Sequence, residues 1–148
     1  MKKQITRALL GLTAALALAV SANAQVLHAV VLNVPFNFVA GEKQLPAGRY
    51  TVQRIKSDAE SALLIRSEDG RSTAVVLTNT GEPQPRAAAL VFRQHGDRYF
   101  LAEVSMPGTA SVRELPMTNA ERRLERELAE QKDGDGRSKT VTVVGSVQ

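Results

Sequence analysis

The stretch from Val34 to Val52 constrains the fold of this 148-residue chain more than any other. It reads VPFNFVAGEKQLPAGRYTV and holds two of the four phenylalanines, one of the two tyrosines and two of the six prolines. Apolar and polar residues alternate with period two on both sides of Leu45–Gly48, which predicts two β-strands joined by a turn there. We expect Phe36 and Phe38 to anchor the core from one face, and Pro35 to mark an edge, a bulge or a change of sheet.

The same stretch resembles a recurrent pattern of short exported bacterial proteins of uncharacterised function, V-P-F-x-F-x-x-G followed by L-P-A-G-x-Y-x-V. The resemblance continues through Leu64–Ser67, Asp97–Leu101 and Arg113–Pro116, and it covers most of the chain after residue 24. It implies a secreted β-domain. It brings no activity, cofactor or site residue with it.

The amino terminus has the pattern of an export signal. Basic residues precede an apolar run over residues 8–20, and an Ala-x-Ala pattern ends at Ala24. These three features predict a secretory signal peptide over residues 1–24, with Gln25 as the first residue after cleavage. The apolar run is shorter than the roughly 20 residues of a membrane span. We therefore expect a protein that is exported to the periplasm or outside the cell, without membrane insertion after cleavage.

Charge and cysteine content narrow the possible partners and anchors. The chain has 19 basic and 15 acidic residues, and three of the basic residues lie in the predicted signal peptide. What remains is nearly balanced, so we expect no nucleic-acid partner. The chain contains no cysteine, which excludes disulfide bonds, thiolate zinc sites and a lipid anchor on cysteine. Stability must therefore come from packing.

Short apolar runs separated by turn residues predict a mainly β fold over residues 25–116. We expect an antiparallel β-sandwich or a partly open β-barrel of about seven strands, followed by one C-terminal α-helix. Asp69-Gly70 and His95-Gly96-Asp97 are typical of hairpin turns, and the composition of residues 79–85 predicts a loop. The other predicted strands, besides those of the opening stretch, lie at 26–32, 62–67, 73–78, 87–94, 98–104 and 112–115.

Residues 117–131 are predicted to form an amphipathic helix packed on the β-domain. Thr118 and Glu121 have the spacing of a capping box, which marks the start of the helix. Ala120, Leu124 and Leu128 form a narrow apolar stripe on one face. A stripe this narrow does not make a helix stable alone, which favours a helix packed on one end of the sheet over an element that binds a partner.

Residues 132–148 read as a flexible linker followed by a strand-forming tail. The linker is rich in aspartate and glycine, and Thr140–Val147 is rich in valine and threonine. Three fates of the tail stay open: it returns to the sheet as an edge strand, it remains disordered, or it adds to the sheet edge of another molecule.

No residue pattern in the chain nominates a catalytic, cofactor-binding or metal site. The motifs of serine hydrolases, zinc proteases, phosphate loops and dinucleotide-binding folds are absent from the sequence. His28 and His95 are the only histidines, and His95 with Asp97 fits a tight turn better than a metal site. Glu68–Asp69 lies in a predicted turn, where both carboxylates would be solvated. Asp133–Gly136 resembles part of a calcium loop, but no acidic residue follows to complete the ligands.

These observations predict an exported, non-enzymatic β-domain that needs no cofactor. We expect it to act as an interaction or structural module, with a protein partner or with its own copies through the C-terminal tail. A carrier of small apolar ligands, with a cavity inside a β-barrel, is the first alternative. A hydrolase that uses His28 or His95 is the second.

Overall fold

The computed structural model describes residues 29–55, 61–83, 87–107, 111–131 and 138–147. These residues form a mainly β domain with one α-helix near the carboxyl terminus, which confirms the fold class predicted from the sequence. The predicted signal peptide, His28 and Asp133–Gly136 lie outside the described residues.

The strands are shorter and more numerous than the roughly seven expected, because the chain changes direction or sheet within several apolar runs. The described residues form β1 (Val30–Val34), β2 (Phe38–Ala40), β3 (Lys43–Leu45), β4 (Gly48–Arg54), β5 (Ala62–Ser67), β6 (Thr73–Leu77), β7 (Asn79–Pro83), β8 (Ala89–His95), β9 (Arg98–Ser105), β10 (Ser111–Glu114), α1 (Asn119–Gln131), β11 (Lys139–Val144) and β12 (Ser146–Val147).

The strands form two sheets. The first sheet has the order β12-β1-β4-β5-β6, and all of its neighbours are antiparallel. The second sheet has the order β11-β8-β9-β10-β7, with the β2–β3 hairpin attached through a parallel pairing of β2 with β9. This seven-stranded sheet curls into a half-barrel. The curved sheet and the five-stranded sheet enclose a single core between them.

Period-two alternation selects the side chains that fill this core. Successive residues of a strand point to opposite faces, so every second residue of β1 and β4 lies inside. Burying each large apolar side chain contributes roughly 1.5–3 kcal/mol. The core includes Val30, Leu32, Val34, Val52, Leu63 and Ile65 from the first sheet, and Phe38, Leu45, Leu90, Phe92, Leu101 and Val104 from the second.

The stretch 34–52 passes from the first sheet to the second and back. β1 belongs to the first sheet, β2 and β3 to the second, and β4 to the first again. The change of sheet expected at Pro35 is confirmed, since β1 ends at Val34. The Ala47 N–H donates a hydrogen bond to Asn37 Oδ1 at 2.9 Å, which holds the two crossings together.

The prediction of two strands in this stretch is wrong, because the stretch also contains β2 and β3. The turn expected at Leu45–Gly48 joins β3 of the second sheet to β4 of the first. The tight turn lies earlier, at Gly41 and Glu42, where β2 and β3 form a short hairpin. Gly41 has a φ of +62°, a conformation that favours glycine. The alternating pattern could not reveal this hairpin, because β2 and β3 have only three residues each.

Five of the six aromatic residues meet between the sheets. Phe38 packs edge-on against Tyr50 of the first sheet and Phe92 of the second, with ring centroids 5.2 and 5.3 Å apart. Phe36 stacks on Tyr99 at 3.9 Å and meets Phe92 edge-on at 5.1 Å. Phe38 is fully buried whereas Phe36 is half-buried, so Phe38 is the deeper of the two expected anchors.

Both hairpins predicted from turn residues are confirmed. Gly70 has a φ of +69° between β5 and β6, and Gly96 has a φ of +59° between β8 and β9. The β8–β9 hairpin is central, because β8 also pairs with β11 and β9 also pairs with β10 and β2.

The loop expected over residues 79–85 is wrong for its first five residues. Asn79–Pro83 forms β7 and pairs with β10 in an irregular register. The buried Thr78 marks the change of sheet between β6 and β7, where its N–H and its hydroxyl both donate to the Ser61 carbonyl. Loop-like composition is overridden here by a partner strand that lies about thirty residues further along the chain.

Of the three fates considered for the tail, the structure shows a return to the sheets. β11 pairs with β8 over six residues, from Lys139 opposite Gln94 to Val144 opposite Ala89. The chain then changes sheet at Gly145, and β12 pairs with β1. One nine-residue segment therefore lies along an edge of both sheets. We call this double edge, formed by β8 and β1, the seam.

Gly145 allows the tail to turn the corner between the sheets. Its N–H donates to the Ala88 carbonyl at 2.8 Å. A Cβ at this position would lie 2.5 Å from Leu32 Cγ and 2.7 Å from the Val31 carbonyl oxygen. Because one of these atoms belongs to the backbone, a side chain here cannot be accommodated by a rotamer change alone.

We expect Gly145→Ala to lower the free energy of unfolding by about 1–3 kcal/mol, because the added methyl group overpacks the corner. Urea unfolding of the variant and of the parent chain measures this loss. The neighbouring Ser146→Ala is the control, since Ser146 is exposed and should change stability by less than about 0.5 kcal/mol. If the parent chain and both variants were equally stable, the packing of the tail at Gly145 would not stabilise the fold.

Candidate functional site

Among the described residues, Glu121, Arg93 and His95 form a largely buried cluster of polar side chains. Arg93 binds the Glu121 carboxylate with two nitrogens, Nε at 2.7 Å from Oε1 and Nη2 at 3.2 Å from Oε2. His95 Nε2 lies 3.2 Å from the same Oε1. Both Glu121 and His95 have side chains that are only 2% exposed. We call these three residues the carboxylate cluster.

Strand periodicity and a helix cap bring the three side chains together. Arg93 and His95 are two residues apart on β8, so they point to the same face, away from the core. Glu121 occupies the third position of α1, and its N–H donates to Thr118 Oγ1 at 3.1 Å. This bond confirms Thr118 as the cap. The Glu121 side chain, however, reaches across to β8.

The helix docks through a face slightly different from the one expected. Ala120 was predicted to lie in the apolar stripe, but it is exposed, whereas Leu124 and Leu128 are half-buried as expected. Glu121 is the buried residue of the helix. It replaces Ala120 on the docking face because its carboxylate pairs with Arg93, and no local pattern in the helix could show this pair.

Electrostatics make this cluster a strong link between helix and sheet. A carboxylate taken out of water destabilises the fold unless a charged partner and hydrogen bonds compensate it. The two-nitrogen contact with Arg93 is the geometry that compensates a carboxylate best. Arg93 also donates to the Leu115 carbonyl at 3.4 Å, so the chain that leads into α1 is held by the same guanidinium.

A carboxylate bonded to an imidazole is also the arrangement of many acid–base catalysts, so its accessibility decides its use. The His95 ring is buried, with its edge against Phe100 at 5.6 Å between ring centroids. The Glu121 side chain is equally buried, and its carboxylate is bound by Arg93 and His95. A group that exchanges protons with a substrate must be within hydrogen-bond reach of that substrate. In this arrangement the pair holds the helix on the sheet.

The structure separates His95 from Asp97. Asp97 is exposed at the hairpin turn, and the bonded partner of the imidazole is Glu121, 26 residues further along the chain. The tight-turn interpretation of His-Gly-Asp is confirmed by the positive φ of Gly96. One local signal pointed to Glu121, its place in the capping box, and no local signal pointed to its partners Arg93 and His95.

The carboxylates at the β5–β6 turn are solvated, as expected. Glu68 lies 3.5 Å from Arg49, and both side chains are more than half exposed, so this pair contributes at most about 1 kcal/mol. The Ser67 hydroxyl and the Arg71 N–H donate to Asp69 and lower the pKa of its carboxyl. These bonds shape the turn.

The outer face of the first sheet carries a shallow polar groove of about 380 Å³. Arg49, Thr51, Gln53 and Arg66 are among its lining residues, and alternation along β4 and β5 explains why they point away from the core. The groove is open to solvent and its arginines are exposed. It has the character of an ordinary solvated sheet face.

Tyr50 belongs to the core. Its ring is fully buried, and its hydroxyl donates to the Pro46 carbonyl at 2.7 Å. Burial raises the pKa of this hydroxyl, and the nearby negative charge of Asp69 raises it further. The neutral hydroxyl therefore links the start of β4 to the chain that enters it.

The described part of the chain contains no group of three or more His, Asp or Glu side chains placed to bind a metal ion. Over the same residues, no helix combines the length and apolar character that crossing a bilayer requires. No family model matches the chain, and no match is found among curated proteins or among solved structures. The function is therefore inferred from the residues and their geometry.

We expect Glu121→Gln to lower the free energy of unfolding by about 2–4 kcal/mol, because it leaves the Arg93 charge without its carboxylate. Denaturant unfolding at neutral pH measures the loss. Glu127→Gln is the matched control, since Glu127 is exposed on the same helix and should cost less than about 0.5 kcal/mol. If the two variants were equally stable, the carboxylate cluster would not hold the helix.

Proposed function

We propose that this protein is an exported, non-enzymatic β-domain that acts as an interaction or structural module in the periplasm or outside the cell. One observation carries the proposal: the buried carboxylate of Glu121 and the buried imidazole of His95 bind each other across the contact between α1 and β8, and so dock the helix. A protein whose buried polar side chains stabilise its own fold is better suited to present a surface to a partner than to transform a substrate.

The free edge of the first sheet supports contact with other proteins. β6 is the last strand of that sheet, and it exposes Val75 and Leu77 by 61% and 69%. The half-buried Leu64 lies opposite Val75 on the neighbouring strand and adds to this apolar surface. Lys43 Nζ donates to the Thr73 carbonyl and covers one end of the edge. Edge strands with exposed apolar residues are common sites of association.

Export is supported by sequence features alone. The basic and apolar residues before Ala24 have the pattern of a cleaved signal, and residues 34–52 resemble exported proteins. The absence of cysteine is compatible with an oxidising compartment, where a free thiol would be exposed to oxidation.

A carrier of small apolar ligands is the alternative favoured by the curvature of the second sheet. Barrels and half-barrels commonly enclose ligands when their interior is not filled by side chains. Here the space between the sheets holds fully buried residues that include Phe38, Tyr50, Leu63, Ile65 and Phe92. This packing weighs against a carrier. A hydrolase built on His95 is the second alternative, and it would require α1 to move away from β8.

Native mass spectrometry of the protein purified from its natural source tests this proposal. We expect the mass of a chain that begins at Gln25 and has no small molecule bound. The same sample measured under denaturing conditions is the control, because it reports the mass of the chain alone.

This experiment can contradict the module function and the export by signal cleavage independently of each other. A stoichiometric adduct that is present in the native spectrum and lost in the denatured one would contradict the module and favour the carrier. A chain that retains its first 24 residues would contradict export by signal cleavage.

A further inference from the structure

We propose that the tail, Lys139–Val147, is an exchangeable strand that also docks in the seam of a second copy of this chain. The inference rests on the proposed module function and names its partner: another copy, joined by exchange of identical strands. Such exchange is a known route from monomers to assemblies, because the same contacts are made in both forms.

The seam is specific for this segment. Val141 and Val143 of β11 are half-buried and pack against the core, while Thr140, Thr142 and Val144 point outward. Only a residue without a side chain fits at position 145, beside Leu32 and the Val31 carbonyl. An extended strand with valines at these two positions and glycine two residues beyond the second describes the tail itself. The best-matched occupant from another molecule is therefore the tail of a second copy.

The tail is held less firmly than the strands on which it lies. None of the residues 138–146 is buried, in contrast to β8 and β9, where most residues are. Backbone hydrogen bonds and two half-buried valines are its main links to the sheets. Segments with few buried apolar contacts open at a lower free energy than the core does. We therefore expect the tail to detach while the two sheets remain folded.

Detachment creates a donor and an acceptor in the same molecule. The tail then offers its unpaired backbone groups, and the seam exposes the edges of β8 and β1. Lys139 is the one charged residue of the tail and lies at its start, so the segment from Thr140 to Val147 brings no side-chain charge that would repel a second tail. An opened copy is thus complementary to another opened copy.

The connection to the helix determines how exchange should be measured. Seven residues separate Gln131 from Lys139, and a short linker keeps a tail near its own seam at an effective concentration on the order of mM. At lower protein concentrations the self-docked form dominates. A covalent trap records exchange even when the exchanged form is a minor species.

The trap uses Thr142 and Val91, which lie directly opposite each other on β11 and β8. Opposed residues of antiparallel strands have Cα atoms roughly 4.5–5.5 Å apart, within the range of a disulfide. The chain has no native cysteine to interfere. Thr142→Cys and Val91→Cys are prepared as separate mature chains, mixed and incubated under mild oxidation. A disulfide between these two variants that forms above the background of random collisions reports the tail of one copy in the seam of the other.

We expect covalent heterodimers to accumulate with time, and to rise severalfold above the background from Thr142→Cys mixed with Gln44→Cys. Gln44 is exposed whereas Val91 is buried, so random collisions favour the control. The double variant in one chain should form an intramolecular disulfide, which shows that the pair is geometrically competent.

A double variant that closes within its own chain, together with mixed variants that give no more heterodimer than the Gln44→Cys control, would overturn the proposal. The pair Val144→Cys and Ala89→Cys repeats the test if Val91→Cys does not fold, since these residues are also opposed. Absence of exchange would leave the module function standing, because that function is judged by the bound small molecule in native mass spectrometry.

Discussion

The packing of Phe38 between Tyr50 and Phe92 joins the two sheets, and the placement of the other elements depends on it. Phe38 belongs to the second sheet, yet its ring contacts an aromatic ring from each. Aromatic pairs in this edge-on geometry contribute about 0.5–1.5 kcal/mol beyond the area that they bury. The stretch that carries Phe38 leaves the first sheet after Val34 and returns at Gly48, so its strands take part in both sheets. The core thus forms around the segment in which the chain passes from one sheet to the other.

Two outer elements complete this core by different interactions. The helix is held through a buried carboxylate that is paired with Arg93 and His95, whereas the tail is held mainly by backbone pairing along two edges. The chain has no cysteine, so these two interactions hold the outer elements without disulfide bonds. They differ in strength. A buried ion pair resists separation, while an exposed strand opens more readily.

Local patterns predicted those parts of the fold that local chemistry determines. The hairpins at Gly70 and Gly96, the helix cap at Thr118 and the role of Phe38 all follow from residues close in sequence. The predictions that were wrong concern elements whose structure depends on residues distant in the sequence. β7 exists because β10 pairs with it, and Glu121 is buried because two residues on β8 bind it. The position of the tail depends on the fit of Gly145 against Leu32, which no periodicity in the sequence contains.

Native-state hydrogen exchange of the protein tests the central claim most directly. That claim is that the tail opens separately while the two-sheet core stays folded. The amides of β11 and of Gly145 should exchange through local opening, well before those of β5 and β9, which lie inside the sheets. The account predicts a tail that exchanges early while the central strands stay protected. A tail that exchanges only with the central strands, at the rate of global unfolding, would contradict it.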